Sequence, residues 1–560
     1  MGKLKKYWSY ILLFLLVVPA CWNLFKPGYF NMHDDLQVMR VYEMGKCFND
    51  GQIPCRWAPD MGYGYGQAMF NFYSAFPYYL GQIIREITPL SIVWTVKILF
   101  AISFIGAAFG MYFLAKEFWG EWGGLLSAVL YTYAPYHSVD VYVRGAMSES
   151  FALMLLPFVW LAFYKLIKNG TFKSVFWTAI SLGLLLTTHN VSSLIYAPIT
   201  ILWVIYWIVR DKKWSSLKNI ALAGILGTAF SAFFTLPIAL ESKYVQLQWL
   251  TSDYLNYQAH FVTLYQLFIS RIWGYGPSIF GPNDDLSFAV GWPNWWLAIP
   301  AGIMSFAWLK NKEKKKTGIL ILLLLTFTAL AIFLTHPRSI FIWSHIGSMA
   351  IIQFPWRFLG LTIFLLSFAT GSLVMLKKGI LITIVCITLS IALNIGFFRP
   401  EYYFTHETDQ TKLSGEEFII EQKSAILDYL PQTAKMAPKE EAFAAPIVAT
   451  GSGTVKNYSK RSNSFFFDVD SYTPVEIKVP VMFYPGWKII SSGKEIASYP
   501  SGDYGVITFK LPKGQFIIQG RFTSTWDRVL GNTITVVSFI ILCFGMIVVY
   551  NKKKFLWFKN

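Results

Sequence analysis

Two adjacent carboxylates, Asp34 and Asp35, follow His33 and precede Arg40. Neighbouring like charges repel, which raises a pKa toward the range of a general base or recruits a cation. The same pair also reads as the N-cap of a short helix over Leu36 to Gly45, where an Asp would satisfy free N–H groups and oppose the helix dipole. A second charged set is Asp140, Arg144 and Glu149, in which two carboxylates flank a guanidinium. Asp35, Asp140 and Glu149 are the candidate ligands for a divalent cation, Mg or Mn. Arg357, inside Gln353-Phe354-Pro355-Trp356-Arg357-Phe358, carries fixed bidentate donors that suit a phosphoryl group. It reads equally as a span-end arginine reaching the headgroups. Arg144 and Arg338 are further phosphate candidates. His189, in Thr188-His189-Asn190, is a hydrogen-bonded structural residue or, with His33 and Arg40, a substrate contact.

The elements that must position these groups are membrane spans. The chain has 560 residues, 55% hydrophobic and only 14% charged, with a mean hydropathy of +0.44. That composition excludes a soluble or disordered chain. Apolar runs able to cross about 30 Å of hydrocarbon are read at 8–25, 92–114, 122–138, 149–166, 173–188 and 191–209. The second half adds 217–240, 292–309, 317–335, 356–376, 379–398 and 529–550, about twelve in all. None of the 31 Asp and Glu falls at the centre of a run, where ion-coupled transporters usually carry ionisable groups.

The net charge of +17 follows topology. If Lys3, Lys5 and Lys6 are cytoplasmic, alternate connections carry Lys165/Lys168/Lys173, Arg210/Lys212/Lys213/Lys218, Lys310 to Lys316, Lys377/Lys378 and Lys552 to Lys554, as positive-inside loops do. The excess charge is orientation, with no nucleic-acid partner implied. Both termini are then cytoplasmic in a multi-pass cell-membrane protein. Residues 1–25 resemble a signal peptide, but the run is longer than a typical h-region, and an uncleaved anchor is the preferred reading.

Two long segments then lie outside. Loop 26–91 is aromatic and Gly-rich, and Leu36 to Gly45 is expected to lie in the interface as an amphipathic helix. Segment 399–528 carries strands at 464–469, 475–479, 505–509 and 515–518, spaced as in a small β-sandwich. The division is 1–398, a transmembrane module; 399–528, an extracytoplasmic β-rich domain; and 529–560, a final helix with a basic tail. Cys47 and Cys55 are positioned to bridge in an oxidising compartment, whereas Cys21, Cys386 and Cys543 read as packing residues.

The Asp pair after the first run, the aromatic loop, Thr188-His189-Asn190, Gln353 to Phe358 and Tyr484-Pro485-Gly486-Trp487 together carry a resemblance. The chain resembles the bacterial 6-pyruvoyl-tetrahydropterin-synthase-related multi-pass membrane proteins, which are similar in architecture to GT-C glycosyltransferases. The pterin chemistry in that name needs a zinc-binding His cluster, and the seven His here are scattered. The resemblance implies a transferase that moves a sugar from a polyprenyl-phosphate donor to an envelope glycan, lipid or protein acceptor on the extracytoplasmic face, embedded in membrane lipid. Asp34 or Asp35 then matches the catalytic acidic position, and Trp487 becomes a possible sugar contact beside its turn-and-core reading. The competing readings are a non-enzymatic lipid-glycan flippase or exporter and a catalytically inert GT-C scaffold.

The charge partition predicts that a reporter fused at Lys456 is active only outside the cytoplasm. Activity confined to the cytoplasm would invert the topology and put Asp34 on the wrong side.

Overall fold

A computed structural model describes residues 2–557 apart from 280, 282 and 283. The side chains of Lys3, Lys5, Lys6 and Lys552 to Lys554, and residues 558–560 of the expected tail, lie outside the described residues. Among the described residues, eight helices are long and apolar enough to cross a membrane: Tyr7–Phe25, Ile92–Thr132, Met147–Asn169, Asn190–Asp211, Lys315–Thr335, Pro355–Met375, Gly379–Phe397 and Trp526–Asn551. A bent pair, Trp214–Phe230 and Ala232–Tyr244, meets at 72° and makes a ninth if it is one span. The difference from twelve has local causes. Runs 92–114 and 122–138 share the helix Ile92–Thr132, broken at Gly120, whose φ of 69° and ψ of −174° are not helical. Run 173–188 is the shorter helix Phe172–Leu186. Run 292–309 is the helix Trp292–Leu309, in which Trp and Pro dilute the apolar residues.

The helices approach closely where side chains vanish. At Gly183 a Cβ would come within 2.9 Å of the Gly227 carbonyl, and at Gly227 within 2.8 Å of the Ala179 carbonyl. Small residues let backbones meet in this way where lipid offers no hydrophobic drive between helices.

The C-terminal β unit is a sandwich of two antiparallel sheets. One pairs Ile447–Thr450, Val475–Met482, Val506–Leu511 and Ser498–Ser501 in that order. The other orders Gly453–Lys460, Ser464–Ser471, Gly514–Phe522, Trp487–Ser491 and Lys494–Ile496. Alternate residues such as Phe465, Phe467 and Val469 point inward and are buried, the period-2 pattern of a half-buried strand. Within the expected 399–528 the strands of the sandwich begin only at Ile447. Before them the chain runs through the short helices Asp409–Lys412 and Gly415–Lys423.

Loop 26–91 is not a separate surface feature. Trp57, Tyr65, Ala68 and Phe72 are buried in the same apolar cluster as the sandwich core, and the Met482 amide donates to the Tyr65 carbonyl at 3.0 Å. Tyr29–Phe30 pairs with Tyr403–Phe404. The amphipathic segment forms the helix Gln37–Asn49, but it does not lie on the membrane surface: Gln37, Arg40 and Glu43 are buried. Its polar residues face partners inside the protein, where a lipid interface would have left them in water. Cys47 and Cys55 form a disulfide at the end of this helix.

One ion pair ties these parts together. Glu241, at the end of the bent pair, and Arg528, near the start of the last helix, are 1% and 0% exposed, with Arg528 Nε 2.7 Å from Glu241 Oε1. The carboxylate also accepts from Tyr484 at 3.0 Å, Thr525 at 2.9 Å and Asn71. Removing one partner of such a pair strands a buried charge, at a cost of about 3–5 kcal/mol. Arg528→Leu should therefore lower the Tm in detergent sharply, and Glu241→Leu/Arg528→Leu should recover part of the loss. A double variant no more stable than the single would show that the stranded charge is not the cause.

Candidate functional site

A cavity of about 1280 Å³ opens where loop 26–91, the ends of several helices and residues 412–429 meet. His33, Asp34, Asp35, Arg40, Arg144, Glu149, His189 and Arg357 all line it. Asp140 sits behind Arg144, which it binds. Two expected residues are elsewhere. Arg338 is exposed in the turn Pro337–Ser339 and does not line the cavity. Trp487 is 6% exposed in the sandwich core, 5.4 Å from Phe465 and 5.7 Å from Trp57 between ring centroids, so it is a packing residue.

The Asp pair is pinned by its backbone. The His33 and Asp34 amides donate to the carbonyls of Val143 and Arg144, each at 2.9 Å. Gly145 makes room: its φ is +62°, and a Cβ there would come within 2.3 Å of the Met32 sulfur. The helix starts at Gln37 with Leu36 at its N-cap and no side-chain cap, so the capping reading of the pair does not hold. Asp34 instead binds side chains. Its Oδ2 accepts from Arg40 at 2.8 Å, Gln37 at 3.1 Å and Tyr73 at 3.4 Å, while Oδ1 carries no hydrogen bond among the described residues. Arg40 is itself buried and lies 4.0 Å from the Tyr73 ring centroid. The carboxylate is thus fixed through one oxygen with the other uncommitted.

Two guanidinium groups lining the same cavity share one carboxylate. Arg144 Nη2 is 2.9 Å and Arg357 Nε 3.4 Å from Glu149 Oε2. Arg144 also binds Asp140 and lies 4.5 Å from the centre of the Trp356 ring. Arg357 Nη1 donates to the Ile352 carbonyl at 2.7 Å and to Gln353 Oε1 at 3.0 Å. Its side chain is 11% exposed, turned inward, which removes the headgroup-reaching reading. His189 caps the helix Asn190–Asp211 by accepting from the Ser192 amide, a structural task at the cavity wall. His33 Nε2 is 2.7 Å from the Tyr275 carbonyl.

The third wall is acidic. Lys412 Nζ lies 2.7 Å from Asp35, 3.6 Å from Glu421 and 3.9 Å from Glu407. Burial pushes the Asp35 carboxyl up to about 6 against the pull of Lys412. It pushes Glu421 to about 8, with the Asp35 charge adding to the rise. Burial likewise raises Asp428 to about 6, although Arg40 lowers it. Lys412, Glu421 and Asp428 were not singled out in the sequence. The alternation of Glu407, Asp409, Lys412, Glu416, Glu417 and Glu421 was the available signal, but it reads as a solvated helix face.

The carboxylates expected to hold a cation do not converge. Asp35 is on Lys412, whereas Asp140 and Glu149 are on Arg144. Among the described residues no group of three or more His, Cys, Asp or Glu is placed to hold a metal ion.

In sequence, an uncharacterized protein of Lactococcus lactis subsp. cremoris (strain MG1363) is 22% identical over 247 residues, 42% of this chain and 40% of that protein. In structure, the arabinofuranosyltransferase AftD from Mycobacteria aligns with a TM-score of 0.44 and 13% identity, over 71% of this chain and 27% of AftD. The Archaeoglobus fulgidus oligosaccharyltransferase aligns with a TM-score of 0.43 and 12% identity, over 72% of this chain and 57% of that one. The chain thus spans less than two thirds of each of these proteins. Residues 70–397 match the family described as 6-pyruvoyl-tetrahydropterin synthase related domain, membrane protein. The chain belongs to this 6-pyruvoyl-tetrahydropterin synthase related family of membrane proteins.

Proposed function

We propose that the protein is a membrane glycosyltransferase that moves a sugar from a polyprenyl-phosphate donor to an envelope acceptor on the extracytoplasmic face, with twelve crossings and both termini cytoplasmic. The observation that carries this reading is one cavity that sets a fixed, half-free carboxylate, Asp34, opposite the guanidinium pair of Arg144 and Arg357. Glycosyl transfer needs both. The acceptor oxygen bonds to the anomeric carbon while the bond from that carbon to the phosphate oxygen breaks. Asp34 Oδ1 takes the acceptor proton, and the phosphate leaves with the bonding electron pair. Arg144 and Arg357 hold the charge that gathers on it, as preoriented donors do where charge develops. Glu149 keeps the two guanidinium groups together before the donor arrives. Asp35 has a different part: bound to Lys412, it belongs to the acidic wall on the acceptor side.

Positioned proton transfer contributes about 10²–10⁴-fold. Asp34→Asn should remove most of the rate of transfer from a polyprenyl-phosphate sugar in protein that is still folded at the assay temperature, with a Tm lowered by the loss of the Arg40 ion pair, while Asp35→Asn should retain far more. Full activity in Asp34→Asn would sink the assignment, and parallel runs with a chelator read any metal requirement.

The acidic wall adds a pH dependence of stability. The protonated Glu421 carboxyl, held above its ordinary value of 4.5 at about 8, stabilises the fold fully below about 4.5 and loses that contribution as pH rises through 8. Thermal unfolding between pH 5 and 9 should show Tm falling with pH in the wild type and a shallower fall in Glu421→Gln, whose amide never ionises. Equal slopes would refute the buried-proton account.

A further inference from the structure

Gln353 occupies an unusual place in the cavity. Its φ of 65° and ψ of −48° lie in a region L-residues rarely adopt, a conformation that costs of order 1–3 kcal/mol and persists only where the surroundings enforce it. The side chain shows what that conformation achieves. The amide Nε2 donates to the Leu250 carbonyl at 2.7 Å, and the amide Oε1 accepts from Arg357 Nη1 at 3.0 Å. Leu250 ends the turn Leu247–Leu250, which carries the exposed side chains Leu247 and Trp249 and whose Leu247 and Leu250 line the cavity. One planar group therefore joins an outer apolar segment to the guanidinium assigned to the phosphate. A primary amide donates at one end and accepts at the other in every protonation state of its surroundings.

We propose that Gln353 is a positioning residue for phosphate binding, coupling the segment Leu247–Leu250 to the orientation of Arg357; this rests on the reading of Arg357 given above. With Nη1 committed to Gln353 and Ile352 and Nε beside Glu149, Nη2 has no hydrogen bond among the described residues, and it is the donor left for a phosphate oxygen. Rotation of the guanidinium about its stem would exchange these roles, and the Gln353 amide prevents it. Gln353 itself contacts no reacting atom.

The chemistry separates two substitutions. Gln353→Met keeps length and apolar volume but makes neither hydrogen bond. Gln353→Glu still accepts from Arg357, cannot donate to Leu250, and brings a negative charge beside the bound phosphate. If Gln353 serves only the backbone turn, loss of binding should track loss of Tm in both variants and show no dependence on charge.

The experiment is equilibrium binding of a polyprenyl monophosphate in detergent to the full-length wild type, Gln353→Met, Gln353→Glu and Arg357→Ala, with Tm measured for each. The expected order of affinity is wild type, then Gln353→Met weaker by about 3–10-fold, then Gln353→Glu weaker by about tenfold or more, approaching Arg357→Ala. That range is smaller than the worth of a whole hydrogen bond to a charged group, because the Ile352 carbonyl still holds Arg357 Nη1 in the variants. Gln353→Gly, which relieves the backbone conformation, should hold or raise Tm yet bind no better than Gln353→Met. If Arg357→Ala weakens binding while both Gln353 variants bind as the wild type does, this inference fails and the phosphate reading stands. If Arg357→Ala binds as well as the wild type, both fail.

Discussion

A carboxylate and a guanidinium withdrawn from water, Glu241 and Arg528, hold the molecule's halves in register. Neither group tolerates burial alone, since each loses several kcal/mol of hydration that only a well-placed partner restores. The partners come from everywhere. Glu241 ends a bent helix, Arg528 begins the last long helix, Tyr484 belongs to the sandwich and Asn71 to loop 26–91. Arg56 extends the set, reaching Asn71, the Phe233 carbonyl and Asn532. Four segments distant in sequence thus meet at this charge, and Phe72 and Ser242, next to Asn71 and Glu241 in the chain, line the cavity.

Within the cavity, charge is sorted by origin. The guanidinium groups come from the ends of membrane helices, near Pro355–Met375 and the turn Val139–Val143. The acidic wall comes from the chain leading into the sandwich, around Gly415–Lys423. Between them loop 26–91 brings Asp34, fixed by Arg40, Gln37 and Tyr73. Each wall would be unstable without the others, because its like charges are neutralised across segment boundaries: Lys412 answers Asp35, and Glu149 answers both Arg144 and Arg357.

The membrane helices and the later strands were legible because they rest on periodicity and composition, which a single sequence displays. Strands expected at 464–469 and 475–479 form within Ser464–Ser471 and Val475–Met482. The cavity was legible in part, since charged residues at the ends of apolar runs have few places to go; Asp34, Arg144 and Arg357 follow from that. What was not legible depends on tertiary partners. Gln37–Asn49 has the pattern of a membrane-surface helix, and only the covering elements make it internal. Trp487 is an aromatic residue in a turn, and nothing local says that Trp57 and Phe465 enclose it. Lys412 acquires its role from Asp35, 377 residues away.

The sharing of one apolar core between loop 26–91 and the sandwich has a consequence for how the protein is made. Trp57, Tyr65 and Phe72 leave the ribosome long before their partners in Ile447 to Phe522 exist. At about 5–20 residues per second, the roughly 375 residues between them correspond to a wait of about 20–75 s. During that wait the aromatic side chains of the loop have no sandwich to enter, and the lipid headgroup region is the environment that accepts amphipathic rings. The enclosure of these rings therefore comes late, once the strands through Gly514–Phe522 have been made.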